Sequence, residues 1–272
     1  MDAIHVCHTL PRVRSEGKFY MEDFDILTLI LSALKWREKN GEIKLITDSV
    51  GKAYFEEIGI IDIWNDVDTS LDLMPENIDT DMFWAAGKLF ALKNCKAPVA
   101  VLDNDFIVWD KIAVDNLGDL SVIHTEDLYP DVYPDIHSFN MKIGYIFNPD
   151  LDWRVRPANA AFYVMKSQEL LDTYTSDAIE FMENSLKGDN LTYMVFAEQR
   201  LLSMTAKRLG IEMMEFSNLD KLFKDGERYF THTWGMKQQM RDIPELRFDF
   251  CSRCRDRIKR DFPDYAELVE RI

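Results

Sequence analysis

The first half of the chain alternates short apolar runs with segments of helical period. Residues 23–39 place apolar side chains three and four positions apart and predict a helix that ends at Asn40-Gly41. Shorter helices are predicted over residues 52–58 and 82–93. Strands are predicted at 3–7, 43–47, 61–64 and 99–102. This alternation is typical of a parallel sheet covered by helices, so we expect an α/β fold.

The second half begins with a region rich in Pro, Tyr and Asp, residues 126–157, which predicts loops around a few short strands. A strand is expected at 160–165, followed by a helix that Ser167 caps and that reaches residue 186. A helix at 191–209 and strands at 211–216 and 229–231 complete the predicted domain. We therefore expect a sheet domain over residues 1–243 and a helical extension, 244–272, packed on it.

Composition and charge narrow the function classes. The 272 residues, 47% of them hydrophobic, suffice for one large domain with a substantial core. The formal net charge of −16 opposes binding to nucleic acid or to an anionic membrane surface. An anionic small molecule would need a local device such as a metal ion to overcome this charge. The chain lacks a leader-like start and an apolar run long enough to span a bilayer, so the sequence predicts a soluble, cytoplasmic protein without an integral membrane segment.

The chain has four cysteines, and only Cys251 and Cys254 lie close together in sequence. One Cys-x-x-Cys pair without a second pair is a weak zinc signal. We expect two reduced thiols on a surface helix and assign them no chemistry.

The segment Asp103-Asn104-Asp105 directly follows the apolar run at 99–102. In an open α/β sheet, ligands bind beyond the carboxyl ends of the strands, where two carboxylates spaced in this way can converge on one divalent cation. Such a cation can in turn hold a diphosphate. The alternative is an acidic turn that binds nothing.

Other short motifs follow one another in a fixed order around this segment: Phe83 to Leu89, Pro157 to Phe162, Ala197 to Leu202, and Thr231 to Lys237. Together with the Asp-x-Asp they resemble sugar-nucleotide-dependent glycosyltransferases of the GT-A fold, specifically the glycogenin-like and capsular polysaccharide transferase group. The resemblance runs from about Ile43 to Lys237. Ala161 stands where the strand motif of that family usually has Gly, and one residue is missing between Gly235 and Lys237 relative to the family's late motif.

The resemblance implies a role for each motif. Asp103, Asp105 and His232 would hold Mn²⁺ or Mg²⁺ on the diphosphate of a nucleotide sugar. Around this centre it implies phosphate or nucleotide contacts from Lys88, Lys237, Trp84 and Asp48, donor-sugar contacts from Asn159, and catalytic roles beside the reacting sugar for Glu198 and Gln199. The loops at 126–157 would take a glycan or lipid-linked acceptor.

Each candidate also has a purely structural interpretation. His232 fits a core histidine, the two lysines fit solvated surface positions, and Glu198 and Gln199 fit the polar face of an amphipathic helix. Asp48 fits a helix N-cap. Trp84 and Trp234 fit core aromatics. His5, His8 and Thr9 follow or lie on the first strand, which would place them at the rim of the donor pocket.

The sequence thus predicts a Mn-dependent hexosyltransferase that uses a nucleotide diphosphate sugar, with UDP as the expected nucleotide and retention of configuration as the expected outcome. A haloacid-dehalogenase-type phosphohydrolase also uses an Asp-x-Asp after an apolar strand, with one Asp as nucleophile. That chemistry requires the Asp-x-Asp pair near the start of the domain and a second acidic pair downstream, and the sequence has neither. A non-catalytic protein that binds a sugar or nucleotide on the same fold remains the other alternative.

Overall fold

A computed structural model describes residues 1–222, 224 and 227–272. The strands are β1 (Ala3–Cys7), β2 (Ile43–Thr47), β3 (Asp66–Asp68), β4 (Val99–Leu102), β5 (Phe106–Val108), β6 (Leu120–Val122), β7 (Phe162–Met165), β8 (Met213–Glu215) and β9 (Phe230–His232). Seven of them form one sheet in the order β3-β2-β1-β4-β7-β6-β8, while β5 and β9 form a separate antiparallel ribbon. Within the large sheet, β7 runs antiparallel to both neighbours and the other pairs are parallel.

Helices cover both faces of the sheet. They are α1 (Leu10–Glu16), α2 (Asp23–Lys39), α3 (Ser49–Glu57), α4 (Ala86–Lys93), α5 (Gln168–Asn184), α6 (Asn190–Val195), α7 (Leu201–Arg208), α8 (Leu219–Leu222), α9 (Lys237–Asp242), α10 (Pro244–Asp261) and α11 (Ala266–Val269). One apolar cluster joins α2 and α10 to the sheet, and a second joins α4, α5 and α7 to it. The expected α/β architecture, a mostly parallel sheet flanked by helices, is confirmed.

Helix α10, near the C-terminus, packs on α2 and contributes to the core of the sheet domain. Its residues Phe250, Cys251, Cys254 and Ile258 are buried in the same cluster as α2. The two cysteines are free thiols on a helix, as expected, but they lie on its buried face rather than at the surface. Burial raises the pKa of both thiols to about 12, so they stay protonated at neutral pH. Across the described ranges, no helix combines the length and the apolar character that a membrane crossing needs.

The elements predicted at 61–64 and 82–93 differ from the structure. Residues 61–63 form a 3₁₀ turn, and the edge strand is instead the polar β3, whose Asp66 and Asp68 both form ion pairs with Lys44 of β2. Charged side chains suit an edge strand because they oppose pairing with another chain. The helix predicted at 82–93 begins only at Ala86, because residues 79–85 form turns with Phe83 buried beneath them.

The sheet topology brings three chain segments to one edge. Strands β1 and β4 are parallel and both end there, whereas the antiparallel β7 begins there, with Phe162 opposite Leu102. Residues 103–105 and 159–161 therefore lie next to each other. The ribbon then pairs Phe106 with His232 and so brings His232 beside Asp105.

Candidate metal centre and its two cavities

The carboxylates of Asp103 and Asp105 and the imidazole of His232 form a cluster at this edge. One ligand atom from each residue lies within 4.8 Å of the other two. His232 Nε2 is 3.6 Å from Asp105 Oδ1, and the backbone N–H of Thr233 donates to the Asp105 carbonyl over 3.1 Å. The three side chains predicted as metal ligands are thus brought together, although Asp103 and Asp105 lie in the turn between β4 and β5 and His232 ends the distant strand β9.

Lys88 bridges this cluster to Glu198. Its Nζ lies 2.5 Å from Asp103 Oδ1 and 2.5 Å from Glu198 Oε1, and it also donates to the Ala160 carbonyl over 3.2 Å. The Lys88 side chain is only 11% exposed. Sequence reasoning proposed Lys88 and Glu198 for the site without pairing them, and the structure joins them directly.

A second lysine holds the other acidic residue of the motif. Lys237 Nζ lies 3.0 Å from Asp105 Oδ2 and 3.0 Å from Asp25 Oδ1 at the start of α2. Asp25 is buried and was not found from the sequence, because an acidic residue in the first turn of a helix carries no sign of a distant partner.

The ionisation of the cluster follows from these contacts. Burial alone would raise the pKa of Asp105, but the His232 imidazole and the Lys237 ammonium outweigh it and hold that pKa below its ordinary value. Burial alone would lower the pKa of Lys88, but Asp103 and Glu198 outweigh it and raise that pKa. The pKa of Glu198 is raised, mainly by burial, even though Lys88 opposes the shift. Asp105 is therefore a carboxylate and Lys88 an ammonium at neutral pH.

Glu198 and Gln199 lie on a π-helical turn, Phe196–Arg200, inserted between α6 and α7. The predicted helix at 191–209 is therefore interrupted at its centre. Tyr174 Oη donates to the Glu198 carbonyl over 2.6 Å and supports the turn. π-Helical turns are rare in proteins overall, but those that occur are often found at functional sites. This one directs Glu198 toward Lys88.

Two cavities meet at the cluster and share its residues. The smaller, of about 350 Å³, extends from the end of β1 and is lined by residues that include His8, Arg12 and Asn104. The larger, of about 650 Å³, opens toward the loops that follow residue 124. Both are lined by Trp84, Asp103, Asp105, Glu198 and Lys237.

The larger cavity contains the other two predicted sugar contacts. Asn159 Nδ2 donates to Glu126 Oε1 over 2.8 Å, and Asn159 Oδ1 accepts from the backbone N–H of Ala161. Tyr133 Oη donates to Gln199 Oε1 over 2.5 Å. Glu126 and Tyr133, which sequence reasoning placed only within a general acceptor region, thereby become specific wall residues.

Some predicted site residues have structural roles instead. Asp48 is buried, caps α3 through the backbone N–H of Gly51, and accepts from the N–H and hydroxyl of Thr9. Because its oxygens already serve as helix cap and loop tether, and it lines neither cavity, its position does not support the predicted nucleotide contact. The rim positions expected for His5 and Thr9 were wrong, because both residues are buried in the core.

The third rim residue, His8, does line the smaller cavity. Both of its ring nitrogens and Oδ1 of Asn104 are buried without a hydrogen-bond partner among the described residues. Buried polar atoms are normally paired, so unpaired atoms on a cavity wall indicate a place for a polar ligand. The only sequence signal for these residues was their position after strand ends.

The chain belongs to a protein family of unknown function, DUF6734, whose model matches residues 8–271. No curated protein matches it significantly. Among solved structures it is similar to the apo form of mouse xyloside xylosyltransferase 1, with 9% identity, a TM-score of 0.43, and coverage of 85% of this chain and 97% of that one. It is also similar to the PaToxG glycosyltransferase (12% identity, TM-score 0.43, 76% and 69% coverage) and to an active-site mutant of LgtC (13%, 0.39, 79% and 72%).

Proposed function

We propose that this protein is a metal-dependent glycosyltransferase that moves a sugar from a nucleotide diphosphate donor, a UDP-sugar in our proposal, to an acceptor hydroxyl. The observation that carries the proposal is the Asp103, Asp105 and His232 cluster at the junction of two cavities. A reaction between two substrates needs two binding spaces that meet where the bond is exchanged. A lone acidic turn would need neither cavity nor the flanking lysines.

The donor set of the cluster fits a divalent cation. Two carboxylates and one imidazole, with ligand atoms within 4.8 Å of one another, suit Mn²⁺ and leave room for phosphate oxygens. When bound, such an ion supplies positive charge that stabilises a departing diphosphate without a proton transfer. It also supplies the local device that an anionic donor needs on a chain of net charge −16.

We propose that the smaller cavity holds the nucleotide. Lys88 and Lys237 lie at its inner end, where the leaving diphosphate gains negative charge, and Arg12 lies at its outer part. The unpartnered atoms of His8 and Asn104 would bond the polar groups of the nucleoside. Trp84, which is 46% exposed, lies where the two cavities meet and would pack on the donor.

We propose that the donor sugar extends into the larger cavity. Asn159 and Gln199 lie on its wall and would orient the sugar hydroxyls, while the Glu198 side chain would face the reacting carbon of the donor sugar. The ion pair with Lys88 also gives Glu198 a positioning task, because it fixes the ammonium beside Asp103. Retention of configuration remains a prediction from the resemblance to the glycogenin-like group. The proposed setting, assembly of a surface polysaccharide or another glycan on the cytoplasmic side, is also a prediction from that resemblance.

A thermal-shift panel tests this proposal without requiring the acceptor. The purified chain is scanned with UDP, GDP, CMP and their common sugar conjugates, each with and without Mn²⁺. A ligand at about 100 times its dissociation constant stabilises the folded state by about 2.7 kcal/mol. We expect a shift with one nucleotide family that needs Mn²⁺, is lost in Asp105→Ala and is kept in the control Asp115→Ala, which changes an exposed carboxylate outside both cavities.

Other outcomes separate the alternatives. Stabilisation by Mg²⁺ with a phosphate mimic, but by no nucleotide, would contradict the transferase and favour the phosphohydrolase. A nucleotide shift that is the same with and without Mn²⁺ would contradict the metal assignment. A response to none of the ligands would favour a structural role.

A further inference from the structure

The larger cavity carries two exposed aromatic side chains, Trp234 and Tyr129, that the proposed donor chemistry does not use. The same cavity, of about 650 Å³, is lined by the acidic cluster and by Gln199. The kind of acceptor that these walls fit is inferred below, and this inference rests on the proposed function because it concerns the second substrate of the same site.

The mouth of this cavity is lined with exposed aromatic rings. Trp234 is 71% exposed, Tyr129 59% and Trp84 46%. Leu191 and Leu219 are about half exposed in the same wall. Of the large apolar side chains exposed on the described part of the chain, only Trp84 lines the smaller cavity. Large apolar groups kept in water around one opening, on a strongly charged protein, mark a contact surface.

The inner wall is polar and rich in hydrogen-bonding groups. The Tyr133–Gln199 and Glu126–Asn159 hydrogen bonds run along it, and the buried His124 ring contributes to it. A lipid chain in this space would cover the hydrogen-bonding capacity that these pairs leave over, at the Gln199 amide nitrogen and the Glu126 carboxylate, without offering it a partner, which is costly. A ligand with several hydroxyls would satisfy them.

Charge restricts the ligand further. Four acidic side chains, those of Asp103, Asp105, Glu126 and Glu198, line this cavity, whereas Lys237, the one lysine among its described lining residues, is already paired with Asp25 and Asp105, and the neighbouring Lys88 is paired with Asp103 and Glu198. This environment repels carboxylates, sulfates and phosphates that enter without a metal ion. The hydroxyl-rich ligand is therefore uncharged.

We propose that the exposed part of this cavity around Trp234 and Tyr129 binds a neutral sugar ring of the acceptor, with the ring face on Trp234 and with Tyr129 beside it. The C–H face of a pyranose packs on an aromatic ring while its hydroxyls reach the polar wall. The reaction is then sugar-to-sugar transfer. The acceptor hydroxyl oxygen bonds to the anomeric carbon of the donor, the bond from that carbon to the diphosphate oxygen breaks with its electron pair left on the diphosphate, and the hydroxyl proton passes to the departing diphosphate.

Saturation-transfer NMR on the full chain tests this directly. The probes are the methyl glycosides of glucose, galactose, xylose and N-acetylglucosamine, together with methyl glucuronide and octyl glucoside. We expect ring protons of at least one neutral glycoside to receive saturation, and Trp234→Ala to weaken its binding about tenfold, which a lost stacking contact can account for. Trp234→Phe should restore most of the affinity. Phe248→Ala is the matched control, because Phe248 is 73% exposed on α10 and lines neither cavity.

Several results would overturn the inference. These are no saturation of any neutral glycoside, equal binding by wild type and Trp234→Ala, preferred binding of the glucuronide, or saturation confined to the octyl chain. The UDP and Mn²⁺ thermal shift, measured on the same samples, separates this failure from failure of the proposed function. A normal nucleotide shift without glycoside binding refutes the acceptor assignment alone, whereas Trp234-dependent glycoside binding without a nucleotide shift supports the sugar site and refutes the transferase.

Discussion

Lys88 lies between two carboxylates, and its removal should be costly. Lys88→Met leaves Asp103 and the buried Glu198 close together without a counter-ion. Breaking a buried ion pair by removing one partner typically costs about 3–5 kcal/mol of unfolding free energy. We expect a loss of that size in urea denaturation without added metal. Adding Glu198→Gln should recover much of the loss, because it removes the uncompensated charge.

Equal stability of the single and double variants would show that Lys88 and Glu198 do not interact. A loss below about 1 kcal/mol in Lys88→Met, within the range of surface ion pairs, would show that the bridge is solvated.

For individual residues, the sequence predicted which side chains come together at the site but not which of them form hydrogen bonds and ion pairs with one another. Asp103 and Asp105 were found because carboxylates that follow an apolar strand have a topological reason to meet a ligand. The partner Asp25 was not found and Glu126 was placed only within a general acceptor region, because each lies on a segment whose packing against the site depends on tertiary structure. Asp48 shows the opposite case, in which the helix-cap interpretation fits the structure.

Among the elements, a buried hydrogen-bond relay ties β1 to α2 and to the strand after the acidic motif. Trp64 Nε1 donates to His5 Nδ1, so His5 Nε2 carries the proton and donates to Ser32 Oγ over 2.9 Å. Ser32 in turn donates to the Phe106 carbonyl over 2.5 Å. A second proton on His5 would face the Trp64 donor, so the relay requires a neutral ring.

This relay predicts a pH dependence of stability. Burial lowers the pKa of His5 from 6.5 to about 3, so below pH 6.5 the unfolded chain binds a proton that the folded chain does not. His5 therefore contributes a loss of stability of about 1.4 kcal/mol per pH unit as the pH falls from 6.5 toward 3. Urea denaturation at pH 7.0 and about 5.5, before most carboxylates titrate, should show a loss from His5 of about 1.3 kcal/mol in total, because the slope develops only as the pH falls through 6.5.

His5→Gln should remove the His5 part of this loss and leave the part due to His8, whose pKa burial also lowers, whereas the control His137→Gln, at an exposed position, should keep the whole loss. An unchanged slope in His5→Gln would show that another group carries the pH dependence.

The sequence predicted most of the longer elements but not α1, β5, β6 or α9, and three further local features also differ. A strand was predicted at residues 61–64, where the structure has a 3₁₀ turn, and none was predicted at the edge strand β3. The reason is that an edge strand lacks the apolar alternation that marks a buried strand. The π turn at Glu198 was not predicted, because its residues have ordinary helical preferences. The buried face of α10 had a visible signal, since Phe250, Cys251, Cys254 and Ile258 recur at helical spacing, but the surrounding charges concealed it.

At the scale of the whole molecule, the C-terminal helix and the sheet share one core. Lys35 of α2 is buried and forms an ion pair with Asp261 of α10 over 2.6 Å, and Ile258 is buried beside them. Ile258→Ala should therefore lower the free energy of unfolding of the entire chain by about 2–5 kcal/mol. Phe248→Ala, on the exposed face of the same helix, should change it by no more than about 0.5 kcal/mol.

Urea denaturation followed by both fluorescence and near-UV circular dichroism distinguishes a C-terminal segment that shares the core of the sheet from one that unfolds independently. A single transition that moves as a whole in Ile258→Ala supports the shared core. An early transition confined to one probe would instead show that residues 244–272 melt as an independent extension.

The most direct test of the central claim is donor turnover, measured as nucleotide release from a panel of UDP-sugars with Mn²⁺ in the presence of neutral glycosides. We predict release that chelation abolishes and that Asp105→Ala and His232→Ala each reduce about 10²-fold or more, with folding verified for both variants. Asp115→Ala should turn over the donor at the wild-type rate. Release that withstands chelation, or that survives both substitutions, would contradict the assignment of Asp103, Asp105 and His232 as the metal centre of a glycosyltransferase.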